Sequence, residues 1–561
     1  VNLFIQMHKQ FLFSSILGLL CMPALQNHHY AIQAEESNQA GLAIPPKLSA
    51  TNASGTQSPA IGQWSKVERS LVRDGISLQL EIDPLEKQVG SAPALGRALR
   101  IRLSLHDEAT RAPLTGLHPA MWMSLRQQKE VPCSTRARAF LRKSLMEKQA
   151  ELDLTDYYVL VLNQDRTLHV VDPQFSLGRP RLVASIELPG RADDWVLSSD
   201  QSRLYVSISQ PGEIVMIDTA TWMIVHRMKV SGAAKLVLQP DEHYLWSSSS
   251  GAEPVVAVLS AADLKLVARI PLHHGHHDIA ISSDSRTAFV TDPAAKTVAI
   301  IDVGRFKRTT DVKTESPASA VAYSAAAQSA YVTTATGNIL AIGEHGEIIA
   351  HLQAGPGLAR IAFFGDGRFG LALNPTKGLL HVIDTARNTL AQTARIGSAP
   401  EQIAFSDQMA YVVRRDSDLM EMVPLDRIGA PGPVSTVELP AGHSAFSHAS
   451  ADELTTTMIQ APGENAVVIA NAADNAVFYY EEGMAAPMGT FSNFGKSPRS
   501  VLVVDRSLKE KSPGIYEAIG RLEKPGTYVV PVLIDSPRMV ECFSVPVGVD
   551  DADVPAKPAH Q

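Results

Sequence analysis

Four histidines occupy five consecutive positions in Pro271-Leu-His-His-Gly-His-His-Asp278, immediately before the strand-like run Ile279-Ala-Ile-Ser282. Neutral imidazole ligates zinc or copper, and a stable site needs roughly three or four ligands converging on the ion. Adjacent histidines on one loop rarely all reach one ion, so His273, His274, His276 and His277 would need a partner loop. Gly442-His-Ser-Ala-Phe-Ser-His448 offers His443 and His448. Asp278 is placed to orient an imidazole by accepting its second N–H. The alternatives are a seat for another polar ligand, or a solvated loop with one histidine bonded to backbone.

Other chemical signatures are weak or missing. Gly355-Pro-Gly-Leu-Ala-Arg360 lacks the Gly-Lys-Ser/Thr ending of a phosphate loop, and Gly442-His-Ser-Ala-Phe446 is no nucleophile elbow. Met484 and Met488 follow the strand-like Val477-Phe-Tyr-Tyr480; packing explains them better than soft-metal ligation. The three cysteines are Cys21, Cys133 and Cys542, and no Cys-x-x-Cys-His exists, which excludes covalent c-type haem.

The chain has 561 residues, 45% apolar and 19% charged, with 36 Gly and 35 Pro, the profile of a folded, turn-rich protein of more than one domain. Its net charge of −8 and lack of a concentrated basic face argue against nucleic-acid binding. Lys9 followed by the apolar Phe11–Cys21 reads as an export signal over residues 1–24, with a flexible leader over 25–62. The apolar core is too short for an ordinary membrane span, and no later transmembrane segment is evident. A periplasmic or secreted location is therefore expected. With the signal removed, Cys133 and Cys542 remain, either as a disulfide or as two buried thiols.

Beyond residue 155 one pattern returns about every 40 residues. Its extended runs include Tyr157-Tyr-Val-Leu-Val-Leu-Asn163, Leu204-Tyr-Val-Ser207, Ala288-Phe-Val-Thr-Asp292, Ala330-Tyr-Val-Thr-Thr334, Ala410-Tyr-Val-Val413 and Val467-Val-Ile-Ala-Asn471. A strand ending in Asp usually follows, at Asp172, Asp218, Asp302 and Asp384. Short strands at this period, without helix patterns between them, predict an all-β chain built on a β-propeller over 155–504. Pro498-Arg-Ser-Val-Leu-Val-Val504 supplies the strand that the first copy lacks and would close the ring beside Tyr157. Eight blades follow from the count; seven remains open if the weak Tyr244-Leu-Trp-Ser247 copy or the long stretch 412–470 is miscounted.

Phe289-Val-Thr-Asp292 and Tyr331-Val-Thr-Thr334 resemble the Tyr-Val-Thr-Asn signature of a propeller-repeat family, and through it the related haem d1-like propellers. The resemblance implies that the strand after each polar cue is innermost, with the residue pair before it at the mouth of a central channel. Those pairs are Asp193-Asp194, Ala234-Lys235, His277-Asp278, Ser319-Ala320, Ala359-Arg360, Glu401-Gln402 and Arg499-Ser500; one copy cannot be aligned. For a noncovalent haem, Lys235, Arg360 and Arg499 would supply charge to the macrocycle carboxylates, although no residue stands out as axial ligand.

The flanks, residues 63–154 and 505–549, carry alternating strand patterns such as Ile76-Ser-Leu-Gln-Leu-Glu-Ile82 and Gly526-Thr-Tyr-Val-Val530. A closed propeller brings the flanks together, so they are expected to complete one small β-sandwich; Gly514-Ile-Tyr516 and Gly526-Thr-Tyr528 resemble the closing hairpin of accessory immunoglobulin-like domains, and such a sandwich would let Cys133 meet Cys542. Residues 134–150 read as a helix with Phe140, Leu141, Leu145 and Met146 on its apolar face, and 550–561 as a tail. Two functions emerge. The first is an exported binding or assembly protein with a protein partner, linked to a redox or metal-handling system. The second is an oxidoreductase or electron-transfer subunit holding copper, zinc or noncovalent haem at the channel.

Overall fold

The computed structural model describes residues 67–84, 98–126, 131–141, 150–155, 157–173, 180–249, 254–414, 417–442, 455–462, 465–482, 484, 486–522, 524–535 and 538–547. The expected export signal, leader and tail lie outside these residues, as do Leu145, Met146, His443 and His448.

Eight four-stranded antiparallel sheets follow one another along the chain. Blade 1 joins the two ends of the repeat region: Pro498–Asp505 is its first strand, followed by Tyr157–Asn163, Thr167–Asp172 and Arg181–Glu187. The closing register sets Val501 opposite Val161 and Val503 opposite Val159. Blades 2 to 8 open with Asp194–Leu197, Ala233–Leu238, Ile279–Ile281, Ala318–Ser324, Arg360–Phe364, Pro400–Phe405 and Met458–Gln460. The weak copy at Tyr244 is a full strand of blade 3, with Trp246 wholly buried, and the stretch 412–470 carries parts of blades 7 and 8.

Each seam between neighbouring blades holds its own apolar cluster. Tyr157, Val159 and Val501 meet Val468 and Val477 where blade 8 joins blade 1. Leu160, Leu162 and Val504 meet Leu204 and Val206 at the next seam. The other six seams are filled in the same way. A blade therefore buries both faces only between two others, which is why the ring must close. Middle strands bury four consecutive residues, as in Ile214–Ile217, whereas outer strands such as Met223–Lys229 are mostly exposed.

The repeated sequence letters have identifiable jobs. The tyrosine hydroxyl crosses to the next blade: Tyr205 donates to Ala261 O (2.6 Å), Tyr331 to Asn388 Oδ1 (2.6 Å) and Tyr411 to Glu482 Oε1 (3.0 Å). Each partner lies in the turn between third and fourth strands of that blade. The Asn or Asp that ends the same motif ties down the loop entering its own blade. Asn374 Nδ2 donates to Pro356 O (3.0 Å), Asn471 Nδ2 donates to Ala441 O (3.2 Å), and Asp292 Oδ2 accepts from the His273 amide (3.3 Å). The Asp that ends the third strand caps the turn after it, accepting the amide of Thr221, Arg305 or Arg387 at 2.7–3.0 Å. Burying such polar groups costs little because each is hydrogen-bonded.

Both chain ends also form a two-layer β-sandwich. One sheet orders Val67–Arg73, Ile76–Pro84, Ala98–Asp107, Ile515–Arg521 and Lys509–Ser512; the other orders Arg538–Val547, Gly526–Asp535, Ala120–Leu125 and Leu152–Asp153. Ile76, Leu78, Leu80 and Ile82 alternate inward, as period-two patterning requires, and share one core with Tyr516, Tyr528 and Val530. The helix spans Cys133–Leu141, and a disulfide joins Cys133 to Cys542 with their Cα atoms 5.8 Å apart.

Candidate functional site: the channel mouth

The pairs that open the first strands form an inner rim, and the structure supplies the pair that the sequence could not align. Blade 8 contributes Thr456-Thr457, since Met458 pairs with Ile469 as Ile279 pairs with Val290 in blade 4. The insertion before it had obscured the period, and no charged residue marks it.

Much of this rim clasps one blade to the next. Asp194 accepts the Trp195 amide at one oxygen and the Leu236 amide of blade 3 at the other, both at 2.9 Å. Asp278 repeats the arrangement two blades on, accepting from Ile279 (3.1 Å) and from Val321 of blade 5 (3.0 Å). Gln402 accepts the Thr457 amide of blade 8 at 3.0 Å and donates to Thr455 O at 3.1 Å. Ser319 donates to Leu358 O at 3.2 Å, Ser500 to Thr456 O at 2.5 Å, and the buried Arg499 guanidinium to Ala192 O. Asp193 accepts the Ser209 amide. Glu401 is buried in the rim of blade 7.

Lys235 and Arg360, both half-buried, sit at the same rim position in blades 3 and 6. Lys235 Nζ lies 3.6 Å from Asp194 Oδ2. The Asp194 charge holds the Lys235 ammonium above its usual range against the effect of burial; Asp278 adds to this and Arg360 opposes it. Asp194 is itself pushed up by burial, with Lys235 and the two amides pulling the other way. Opposite charges thus meet in a small, poorly solvated space, where each ionic interaction is stronger than in water.

The histidine loop assembles differently from a metal site. His273 Nδ1 is 2.9 Å from the wholly buried Asp292 carboxylate, in the loop-tying role described above. His277 is buried, with Nδ1 2.6 Å from Thr291 O and Nε2 2.7 Å from His273 O. Both its ring nitrogens face carbonyl oxygens, so neither is left to ligate an ion. His274 and His276 are exposed. Among the described residues, no group of three or more His, Cys, Asp or Glu is arranged to hold a metal. His273 and His277 are thus engaged in holding the loop rather than converged on an ion, and the expected partners His443 and His448 lie outside the described residues.

Two other features resolve as structure. Gly337 has φ +90°, and a Cβ there would lie 1.9 Å from the Gly355 carbonyl carbon, so the glycine-rich 355–360 stretch reflects close backbone approach between a turn and a blade-entry loop. A groove of about 930 Å³ across blades 3 to 5 is lined by Asp241, Asp284 and Asp302. Each of these caps its own turn.

No protein-family model matches this chain, and no curated protein does. Solved structures are similar in fold. Dihydro-heme d1 dehydrogenase NirN in complex with DHE is 13% identical over 64% of this chain and 78% of its own, with a TM-score of 0.49. Apo AztD from Citrobacter koseri is 12% identical over 62% and 98%, with a TM-score of 0.46. A functionally unknown protein from Desulfotomaculum acetoxidans DSM 771 is 15% identical over 62% and 98%, with a TM-score of 0.44. Such similarity assigns this chain no activity.

Proposed function

We propose that this protein is an exported, non-catalytic binding protein that holds a polar ligand at the mouth of its propeller channel. The observation that carries this reading is the rim itself, where Asp194, Lys235, Asp278 and Arg360 bring both signs of charge within electrostatic reach of one another. Convergent polar groups in a concave, partly desolvated place are what ligand sites share. The Cys133–Cys542 disulfide supports an oxidising compartment outside the cytoplasm. No described helix is long and apolar enough to cross a membrane.

A ligand that binds only the folded state raises its stability by RT ln(1 + [L]/Kd), about 2.7 kcal/mol at a hundredfold excess over Kd. Thermal unfolding should therefore be followed with carboxylates, phosphates, amines and sugars at millimolar concentration, using the wild type and Ala234→Trp. Ala234 is a rim residue beside Lys235, and an indole there narrows the mouth. At least one class is expected to raise the wild-type midpoint by several degrees and to leave the variant unmoved. Equal shifts in both proteins, or none in either, would remove the channel mouth as the site.

The redox alternative is separable by metal analysis with an absorption spectrum on protein from its oxidising compartment. With both His277 nitrogens on carbonyls, the expected result is no near-stoichiometric metal held by this loop and no haem band. About one copper, zinc or haem per chain, lost on changing His276 and His277 to Ala, would replace the binding reading with electron transfer or redox catalysis.

A further inference from the structure

In blade 7 the residue that ends the second strand breaks the pattern of its neighbours. Asn374 and Asn471 hold this position in blades 6 and 8, and Asp292 holds it in blade 4, each tying down the loop that enters its blade. Blade 7 carries Arg414, which is buried. Its Nη1 approaches Ile396 O at 3.5 Å, and a Cβ on Gly397, where φ is +80°, would overlap the guanidinium. The arginine is thus packed under loop 396–399, which delivers Glu401 and Gln402 to the channel mouth. It also brings a charge into the blade, and a buried charge must be matched.

Two glutamates match it. Arg414 Nη1 lies 3.1 Å from Glu438 Oε1 and 3.4 Å from Glu421 Oε1, and Nη2 donates to Ser417 Oγ at 2.9 Å. Glu421 and Glu438 stand directly opposite one another on the third and fourth strands. Val215 and Ala299 take the place of Glu421 in blades 2 and 4, so the ring itself does not require an acid there. One guanidinium cannot neutralise two carboxylates, and like charges directly opposite each other destabilise a sheet. Glu438 is exposed, whereas Glu421 is buried opposite Val412, a member of the apolar cluster at the seam with blade 6. Glu421 Oε2 is buried without a hydrogen-bond partner. A proton on Glu421 removes the second negative charge and supplies an O–H for the Glu438 carboxylate, which is within hydrogen-bonding reach. Burial pushes the Glu421 carboxyl up; the Arg414 charge pulls it down, Glu438 pushes it up again, and the Thr436 hydroxyl lowers it slightly. We propose that Glu421 and Glu438 hold one proton between them beside Arg414, and that this proton is a latch on the entry loop of blade 7. Rising pH sends the proton to solvent past the exposed Glu438. A second negative charge then appears in the blade, Arg414 is drawn towards the carboxylates and away from Ile396 and Gly397, and loop 396–399 loosens.

The sign follows from linkage. A carboxyl raised in the folded state contributes its full stability below the ordinary carboxylate range and loses it as pH rises through the folded value. Thermal unfolding of the full chain should be compared between about pH 5 and pH 8 for the wild type, Glu421→Gln and Glu438→Gln. Glutamine keeps the shape and the neutral donor of a protonated glutamate. Glu421→Gln should therefore match the wild-type midpoint at about pH 5 and exceed it by roughly 1–3 °C at about pH 8. In Glu438→Gln the Glu421 carboxylate meets Arg414 alone, so the gap to Glu421→Gln at the higher pH should shrink. Amide exchange over residues 396–402, corrected for its intrinsic pH dependence, reads the loop itself. Protection there should fall with rising pH in the wild type and persist in Glu421→Gln. A Glu421→Gln midpoint that runs parallel to the wild type, or lies below it at every pH, would overturn the shared proton. Exchange over 396–402 that follows pH alike in both proteins would overturn the latch.

Discussion

Val501→Asp is expected to prevent ring closure, with a loss of more than about 4 kcal/mol, the range reached when an unpaired charge is buried. Val501 is fully buried in the closing strand, opposite Val161, among Val159, Val468 and Val477. A carboxylate there would have aliphatic neighbours and no donor, and it would interrupt the strand pairing that joins the two ends of the ring. The effect is not confined to one seam. Val504 of the same strand belongs to the cluster between blades 1 and 2, so loss of the strand opens both sides of blade 1. Circular dichroism, size-exclusion elution and urea denaturation should show a chain that is expanded or aggregated. Val72→Asp, on a sandwich strand where the side chain is 56% exposed, should stay within about 0.5 kcal/mol of wild type. A Val501→Asp protein with the wild-type denaturation midpoint would mean that the sandwich, rather than the closing strand, keeps the ring shut.

The ring was legible because its repeat is written in residues with separate mechanical roles. Tyrosine at one position crosses a seam, Asn or Asp a few residues later ties a loop, and Asp at the next strand end caps a turn. Those letters recur because the same contacts must be made in each blade, and their spacing survives where the rest of the blade drifts. The closing strand was legible for the complementary reason, since the first copy has no inner strand of its own before Tyr157. The site was less legible. Charge at a rim position looks the same in sequence whether it clasps a blade or faces a ligand; only the cross-blade bonds separate Asp194 and Asp278 from Lys235 and Arg360. His277 carries the same lesson. Its two carbonyl partners come from His273, four residues back, and from Thr291 on the neighbouring strand, a geometry that spacing alone does not specify. Thr456-Thr457 escaped because the long insertion displaced its blade from the period.

Removing the disulfide by changing Cys133 and Cys542 to Ser is expected to cost about 2–4 kcal/mol, towards the upper end of that range. The bond links residues 409 apart in sequence and so closes a loop containing the whole propeller. In the unfolded chain that loop restricts the ends strongly, whereas in the native state the closing strand already holds them together and the bond adds little order. The stabilisation therefore acts mainly through the unfolded state. A local consequence should also appear. The helix Cys133–Leu141 is tied through this bond to the strand Arg538–Val547, and Trp122 packs with Ala137 of that helix and Ala150 beside it. Without the bond the helix should open first, exposing Trp122 and quenching or shifting its fluorescence at denaturant concentrations where the propeller signal is unchanged. With more than one packed unit in the chain, the two transitions must be followed by separate probes. Reductant should reproduce the double variant in the wild type and have no effect on the variant itself. Coincident midpoints for oxidised, reduced and double-variant protein would show that the bond is dispensable, and would take away the support that it lends to an oxidising compartment.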